Sequence, residues 1–371
     1  MLKIWINCGE LSGDIQSAEI VKALKNTGND FDFVGMGGDS LKKEGVRTLF
    51  HINELSVMGV SEVIEKVPQI LKLLKRINIA LQEEKPDVLI VTDAPDFNFR
   101  IINMAKKLNI PVYYFIPPKV WAWRKYRLNF LQKNVKKIYS ILPFEVPFYQ
   151  KNNVEVTYIG NPLVNVVNPN ENMLIEKVEG RIGLMPGSRK KEISLLLPEY
   201  AKMAQELLVS YPHLQFYIIK APQYSEKYLK SFWQSDAPVS FVEAENRYQF
   251  IPSCEFIVGA SGTAVLETAL LGTPTIVTYK VKAFSYLVAK AFVDVDFVSL
   301  PNLIMKQEVF PELLQEKADY PMLVSYAKKW LENKDYLEAI KKDCAIIREL
   351  LGQGDSAERF AKDFCSELKL M

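Results

Sequence analysis

Phe256-Ile257-Val258 is an apolar run that breaks at Gly259 into a small polar turn, Ser261-Gly262-Thr263. Val265, Leu266, Ala269 and Leu270 then recur at helical spacing, Gly272 ends the helix, and Pro274 opens a second apolar run, Thr275-Ile276-Val277-Thr278. This is a strand–turn–helix–strand unit. Its turn exposes backbone N–H groups at a helix N-terminus, where those donors and the helix dipole stabilise an anion. Glu267 lies four residues past Thr263 on the same helix face, and its carboxylate can accept two hydrogen bonds of the kind a ribose diol offers. The plain structural alternative is an N-capped turn with a surface Glu.

The pattern recurs along the chain. In the first half, Lys3-Ile4-Trp5-Ile6-Asn7 reads as a strand and runs through Cys8-Gly9-Glu10-Leu11-Ser12-Gly13-Asp14 into a helix from about Ile15 to Lys25. The glycine spacing is not that of the GxGxxG dinucleotide fingerprint. Phe31-Asp32-Phe33-Val34 and Val88-Leu89-Ile90-Val91 are further strands, the latter ending in Thr92-Asp93-Ala94-Pro95-Asp96-Phe97-Asn98. Runs at 111–116, 137–142 and 154–159 complete a series that stops at Gly160-Asn161-Pro162. A polar stretch, 165–179, reads as a linker. A second series opens with Arg181-Ile182-Gly183-Leu184-Met185, which turns through Pro186-Gly187-Ser188-Arg189 into a helix carrying Glu192. Small residues followed by Arg at a strand-to-helix turn suit a pyrophosphate, because the backbone approaches closely and Arg adds a bidentate donor. Strands at 214–219 and 239–242, a helix after Lys280, the run Pro311-Glu312-Leu313-Leu314-Gln315 and a helical C-terminus follow.

Strands alternating with helices imply parallel sheets covered on both faces, whose ligands bind beyond the carboxyl ends of the strands. Glu10, Asp14, Asp93 and Asp96 all fall on that edge. A helix cap or turn role is the plainer reading for Asp14 and Asp96, and less so for Asp93, which directly ends a buried strand. With 371 residues the chain exceeds one ordinary core, so two domains are expected. Charged residues make up 24% and the net charge is +2, which points to neither nucleic acid nor acidic partners. Cys8, Cys254, Cys344 and Cys365 lack metal-ligand spacing and read as buried or free thiols of a reducing compartment. His51 and His213 are poor material for a His-based triad, and no zinc or paired-Asp metal motif stands out. The chain opens on a strand rather than a signal peptide and holds no run of about 18 apolar residues. A location in the cytosol or on a membrane surface is expected.

Two segments stand apart. Residues 60–79 carry a wide apolar stripe, including Val63, Ile64, Val67, Ile70, Leu71 and Leu74, and Pro68 predicts a split into two helices. A core-facing helix accounts for most of the stripe, and a lipid-touching surface helix is the alternative. Residues 119–137 hold seven basic and no acidic residues among Trp121, Trp123, Tyr126 and Phe130. That mixture suits anionic lipid headgroups, with single-stranded nucleic acid and a solvated basic helix as rivals.

Taken in order, these residues resemble the lipid-A-disaccharide synthase family of GT-B glycosyltransferases. The resemblance runs nearly end to end. It rests on Gly9-Glu10-Leu11-Ser12-Gly13-Asp14, Val57-Met58-Gly59, Asp93-Ala94-Pro95-Asp96-Phe97-Asn98, Val120-Trp121-Ala122-Trp123-Arg124 and Leu142-Pro143-Phe144-Glu145. It continues through Gly160-Asn161-Pro162, Pro186-Gly187-Ser188-Arg189, Ala260-Ser261-Gly262-Thr263 with Glu267, and Val298-Ser299-Leu300-Pro301-Asn302-Leu303. Pro117-Pro118-Lys119 stands where the family usually has Ser-Pro and a small or amide residue, Asn165 stands where it usually has Asp, and Gln307 where Arg or Lys is common.

The resemblance implies two doubly wound Rossmann-like domains facing a central cleft: 1–165 for the acceptor and membrane, 166–345 for the UDP-sugar donor, and 346–371 as a C-terminal helix returning to the first domain. It implies transfer from UDP-2,3-diacylglucosamine to 2,3-diacylglucosamine 1-phosphate (lipid X), inversion at the anomeric carbon, no cofactor and peripheral association with the anionic inner-membrane surface. Asp93 is the expected base and Glu10 the runner-up. Gly187, Ser188, Arg189, Ser261, Gly262, Thr263 and Glu267 are expected around UDP, and Ser12, Met58 and Asn302 at the acceptor or cleft. No metal ligands and no nucleic-acid partner are expected, and a homodimer is left open. A UDP-N-acetylglucosamine epimerase and a non-enzymatic lipid-surface or nucleotide-binding module are the rival readings.

Overall fold

The computed structural model describes residues 1–55, 63–121, 126–281 and 296–370, with the backbone alone described for 63–66. The chain divides into two compact units, Met1–Pro162 with Gln353–Met371, and Leu163–Gly352.

The first unit is built on a parallel sheet of β1 Leu2–Cys8, β2 Phe31–Gly37, β3 Arg47–His51, β4 Val88–Thr92, β5 Val112–Phe115, β6 Lys137–Ser140 and β7 Val156–Tyr158. Their order is β3-β2-β1-β4-β5-β6-β7. Both faces of β1 are buried: Ile4 and Ile6 join one core cluster and Trp5 the other. Period-two alternation cannot show in such a strand, which is why it reads as a continuous apolar run. The helix Leu11–Asn26 covers one face with Ile20, Val21 and Leu24. The helices Val63–Glu84 and Pro95–Lys107 cover the other, with Leu73, Leu74, Ile77, Phe97 and Ile101. The C-terminal helix Ser356–Glu367 also belongs here. Phe364 meets Tyr113 edge-on at 4.9 Å, Phe360 lies 4.5 Å from Tyr139, and Lys137 pairs with Asp363 at 2.8 Å. The return to this unit begins at Gln353, because the helix holding residue 346 runs unbroken from Lys334 to Leu351 within the second unit.

The second unit has β8 Arg181–Met185, β9 Gln215–Ile219, β10 Val239–Val242, β11 Phe256–Ala260, β12 Thr275–Tyr279 and β13 Glu312–Leu314, all parallel, in the order β10-β9-β8-β11-β12-β13. Strand order therefore reverses between β1 and β4 in the first sheet and between β8 and β11 in the second. Helices leave the two strands at such a point toward opposite faces, which opens a crevice at their carboxyl ends.

Three expectations change. Pro68 does not split its segment: it lies inside one helix, Val63–Glu84. Its ring forfeits the one intrahelical bond that an N–H at 68 would make to the Ile64 carbonyl, and the helix continues through Leu73, Leu74 and Ile77, which are packed in the core. The stretch expected as a linker holds two short helices, Leu163–Val167 and Pro169–Asn172, and belongs to the second unit from Leu163 onward. β3 is a strand that no apolar run announces. The motif at 57–59, Trp123, Arg124, the helix expected after Lys280 and Met58 lie outside the described residues, as do the side chains of Val63 and Ile64. Among the described residues no helix is long and apolar enough to cross a membrane.

Candidate active site

At the first reversal, β1 runs into Gly9 and Glu10, and β4 runs into Asp93. Gly9 is required by close approach: a Cβ there would stand 2.8 Å from the Ala94 Cβ. The two turns thus touch, and Glu10 and Asp93 come together. Asp93 and Ala94 both take left-handed backbone conformations, with φ of 48° and 39°, an uncommon choice for residues other than glycine. A hydrogen-bond set holds them there. Asn98 Nδ2 donates to the carbonyls of Asp93 (2.7 Å) and Thr92 (3.0 Å), Tyr114 Oη donates to the Asp93 carbonyl (2.9 Å), and Asn7 Nδ2 donates to Asn98 Oδ1 (2.8 Å). Both asparagines are fully buried.

The Asp93 carboxyl is half-buried, and desolvation pushes it above the usual aspartate value, while the Ala94 N–H and the Lys119 ammonium pull the other way. Glu10 is raised as well, first by desolvation and then by the Asp93 charge. Two desolvated carboxyls side by side at a sheet edge, one raising the other, are an arrangement suited to proton transfer. Ser12 is exposed on the first helical turn beside them. Asp14 is not part of this group: it is fully buried, and its oxygens accept from the backbone N–H groups of Gly38 (2.6 Å), Ser40 (2.9 Å) and Leu41 (3.3 Å), capping the helix Asp39–Lys43. Asp96 is exposed and pairs with Arg127.

A cavity of about 740 Å³ opens beside this point, with Glu10 and Ala94 among its lining residues. Leu55, Val67, Ile70, Leu71 and Phe97 give it apolar walls, and Arg100 adds a guanidinium. The stripe of the helix Val63–Glu84 is thus divided: Leu73, Leu74 and Ile77 enter the core, whereas Val67 and Leu71 are 45% and 51% exposed at the cavity.

At the second reversal, β8 turns through Gly187-Ser188-Arg189 into the helix Lys190–Ser210, and β11 through Ser261-Gly262 into the helix Thr263–Leu270. Met185 and Gly259 are register partners, so the turns leave adjacent strands at one edge. Gly187 has φ +97°, and a Cβ on it would stand 2.5 Å from Glu192 Oε2 and 3.2 Å from the Ala260 Cβ. Ser188, Gly262 and Thr263 are exposed, and Ser261 is half-buried with its N–H bonded to the Thr278 carbonyl (2.8 Å). Arg189 is exposed and bonds Glu192 Oε1 at 2.8 Å. Two helix N-termini thus present N–H groups side by side, with an arginine at the rim, an arrangement that fits a pyrophosphate.

Glu267 is buried. Its carboxylate accepts from Arg247 Nε and from Tyr248 Oη, each at 3.2 Å, and the Arg247 guanidinium lies 4.1 Å above the Tyr248 ring. Each carboxylate oxygen retains a lone pair for a further donor. Arg247 and Tyr248 carry no local sequence signal, since they reach Glu267 across about twenty residues. Asn302, expected at the acceptor or cleft, is fully buried with its amide saturated. Nδ2 donates to the Phe310 carbonyl and Glu312 Oε1, both at 2.8 Å, and Oδ1 accepts from the Val309 and Phe310 N–H groups, both at 2.9 Å.

Residues 4–362 match the family model described as lipid-A-disaccharide synthetase. A lipid-A-disaccharide synthase of Myxococcus xanthus (strain DK1622) is 36% identical over 368 residues, covering 97% of this chain and 96% of the relative. That of Syntrophus aciditrophicus (strain SB) is 37% identical over 367 residues, covering 96% of each. Among solved structures, the UDP-GlcNAc 2-epimerase of Neisseria meningitidis bound to UDP-GlcNAc superposes with a TM-score of 0.68 at 14% identity, covering 98% of this chain and all of that one. The glycotransferase of kitacinnamycin superposes with a TM-score of 0.64 at 11% identity, covering 98% of each chain. These two likenesses speak for the fold, while the sequence matches carry the family. The chain belongs to the lipid-A-disaccharide synthase family and is a glycosyltransferase of GT-B fold.

Proposed function

We propose that the protein transfers the 2,3-diacylglucosaminyl group of UDP-2,3-diacylglucosamine to 2,3-diacylglucosamine 1-phosphate, giving the β-1,6 disaccharide 1-phosphate and UDP with inversion. The observation that carries this beyond family membership is the pairing, at one sheet reversal, of a proton-accepting carboxylate with an apolar cavity. A sugar alone has no use for walls of Leu, Ile, Val and Phe, whereas an acyl chain does. The first unit therefore binds the acceptor, and its acyl chains lie against Leu55, Ile70 and Leu71. The second unit binds the nucleotide: the turns at 187–189 and 261–263 take the pyrophosphate, and Glu267 takes the ribose hydroxyls.

The nucleophile is the primary 6-hydroxyl of the acceptor, too weakly acidic to attack unaided. Asp93 removes its proton as the oxygen forms a bond to the anomeric carbon on the face opposite UDP, and the bond to the β-phosphate oxygen breaks. The charge that develops on UDP is met by Arg189 and the two helix N-termini. Glu10 stands beside Asp93 as the second carboxyl. The exposure of Val67 and Leu71 supports the reading that the same face meets an anionic membrane surface, the source of both lipid substrates.

Incubation with UDP-2,3-diacylglucosamine and 2,3-diacylglucosamine 1-phosphate, followed by mass spectrometry, should detect the disaccharide 1-phosphate and UDP in equal amounts. Epimerisation of UDP-N-acetylglucosamine without any lipid requirement, and no disaccharide, would replace this reading by the epimerase one.

A further inference from the structure

Asp96 and Arg100 stand four residues apart on the helix Pro95–Lys107, a spacing at which a carboxylate and a guanidinium can pair. Asp96 pairs with Arg127 instead, whose guanidinium also lies over the Phe99 ring, 5.2 Å from its centroid. Arg100 is left exposed at the cavity, and among the described residues no carboxylate or carbonyl bonds it. It is also the one cation among the described residues that line the cavity.

Two helices form the walls. Val67, Ile70 and Leu71 come from Val63–Glu84, and Phe97 and Arg100 from Pro95–Lys107. Gly9, Glu10 and Ala94 close the end at the sheet edge, beside Asp93. Arg100 lies six residues beyond Ala94, about 9 Å along the helix axis. The cavity thus joins a carboxyl end, an apolar wall and a guanidinium, with room for a sugar ring between the carboxyls and the cation. A free phosphate ion would leave the apolar wall uncovered. A neutral acyl sugar would leave the guanidinium without an anion. An acylated sugar phosphate satisfies both, since a phosphate accepts two parallel N–H bonds from the arginine fork.

We infer that Arg100 is a specificity residue for the acceptor: its guanidinium takes the 1-phosphate while the 6-hydroxyl lies at the Glu10 end beside Asp93 and the acyl chains lie against Val67, Ile70 and Leu71. The inference rests on the reading of this cavity as the acceptor site. Held at its phosphate and its chains, the sugar has its 6-hydroxyl turned to the carboxyls, so Arg100 selects the phosphorylated acceptor over the same diacylated sugar with a free anomeric hydroxyl. The Asp96 charge does not oppose this, because Arg127 meets it.

The test pairs each enzyme with each acceptor. Wild type and Arg100→Gln are assayed with 2,3-diacylglucosamine 1-phosphate and with 2,3-diacylglucosamine, at one saturating concentration of the UDP-sugar. In the wild type the phosphate should lower the acceptor KM by about ten- to a hundredfold, the range for a bond to a charged group. In Arg100→Gln that advantage should largely vanish through a raised KM for the phosphorylated acceptor, with kcat, the donor KM and the KM for the unphosphorylated sugar in place. Arg100→Lys keeps the charge without the fork and should recover part of the advantage. An equal phosphate advantage in wild type and Arg100→Gln overturns the inference. So does a variant that weakens both acceptors alike and sediments less with phosphatidylglycerol vesicles, which would give the guanidinium to a membrane headgroup. Calorimetric titration of both acceptors without donor separates this inference from the proposed function. Phosphate-dependent binding that Arg100→Gln abolishes, with no turnover by the wild type, would remove the function and leave the phosphate site. Full turnover with binding indifferent to the phosphate would do the reverse.

Discussion

Asn98 and Asp93 are joined by a hydrogen bond of 2.7 Å from a buried side-chain amide to a backbone carbonyl, not to a carboxylate. The bond fixes the direction of the chain at the end of β4 and so the direction in which the Asp93 side chain leaves. Asn98→Ala should remove this support, leave the Asp93 carbonyl with Tyr114 Oη alone and Asn7 Nδ2 without its acceptor, and cost about 1–3 kcal/mol of stability. Chemical denaturation measures it. A loss of activity without a loss of stability would mean that Asn98 acts on substrate instead.

If Asp93 is the base, Asp93→Asn should lower kcat by roughly 10²–10⁴-fold, the usual range for a proton-transfer group. UDP affinity should hardly change, because the proposed nucleotide site lies in the second unit. Steady-state kinetics and calorimetry on one preparation separate the two. Near-normal turnover would pass the role to Glu10, whose carboxyl is raised first by burial and, while Asp93 is present, by its charge.

In the second unit the phosphate and ribose roles can be told apart by ligand. Arg189→Ala should weaken UDP and spare uridine, whereas Glu267→Ala should weaken both by about 1–3 kcal/mol, the range for hydrogen bonds to a charged group. Equal losses of UDP and uridine at Arg189 would rule out a phosphate partner. Gly187→Ala supplies a backbone control. At φ +97°, with a Cβ 2.5 Å from Glu192 Oε2, it should cost about 1–2 kcal/mol in stability, an effect Arg189→Ala should not share.

What was legible in the sequence follows from what each residue depends on. β1, β4, β8 and β11 are buried on both faces, so their runs are apolar without interruption, and the polar turns after them mark the sheet edge. β3, Arg47-Thr48-Leu49-Phe50-His51, is half-exposed at the end of its sheet and has no such run. Asp14 looks like a site residue in its motif, yet its partners lie 24 or more residues on, at Gly38, Ser40 and Leu41. Arg247 behind Glu267 and Asn7 behind Asn98 are likewise assembled only by folding. The apolar stripe at 60–79 was visible as a stripe, but periodicity cannot say that Leu74 faces the core while Leu71 faces a cavity.

That division gives a membrane test. Val67→Ser and Leu71→Ser together should reduce sedimentation with anionic phospholipid vesicles by roughly tenfold or more, since each half-exposed side chain can still transfer about 1 kcal/mol into an apolar phase. The thermal unfolding curve should stay in place. Leu74→Ser, a buried control, should lower the unfolding temperature instead. If the exposed pair also destabilises the fold, the stripe is ordinary core along its whole length.

Glu145 gives the clearest pH signature in stability. Its carboxyl titrates at about 7 in the folded chain against an ordinary 4.5, chiefly through burial. Between those values the folded chain holds a proton that the unfolded chain has lost, so stability falls as pH rises through the window and levels off above about 7. Burying the carboxyl therefore stabilises nothing at neutral pH; it is tolerated because the neutral acid still bonds Ser140 and Trp121. Glu145→Gln cannot ionise and keeps both bonds. Measured by urea denaturation, its stability relative to wild type should rise between pH 4.5 and 7 and then hold constant. A relative stability that is flat across the window would mean that Glu145 titrates normally and is not sealed from water behind Trp121.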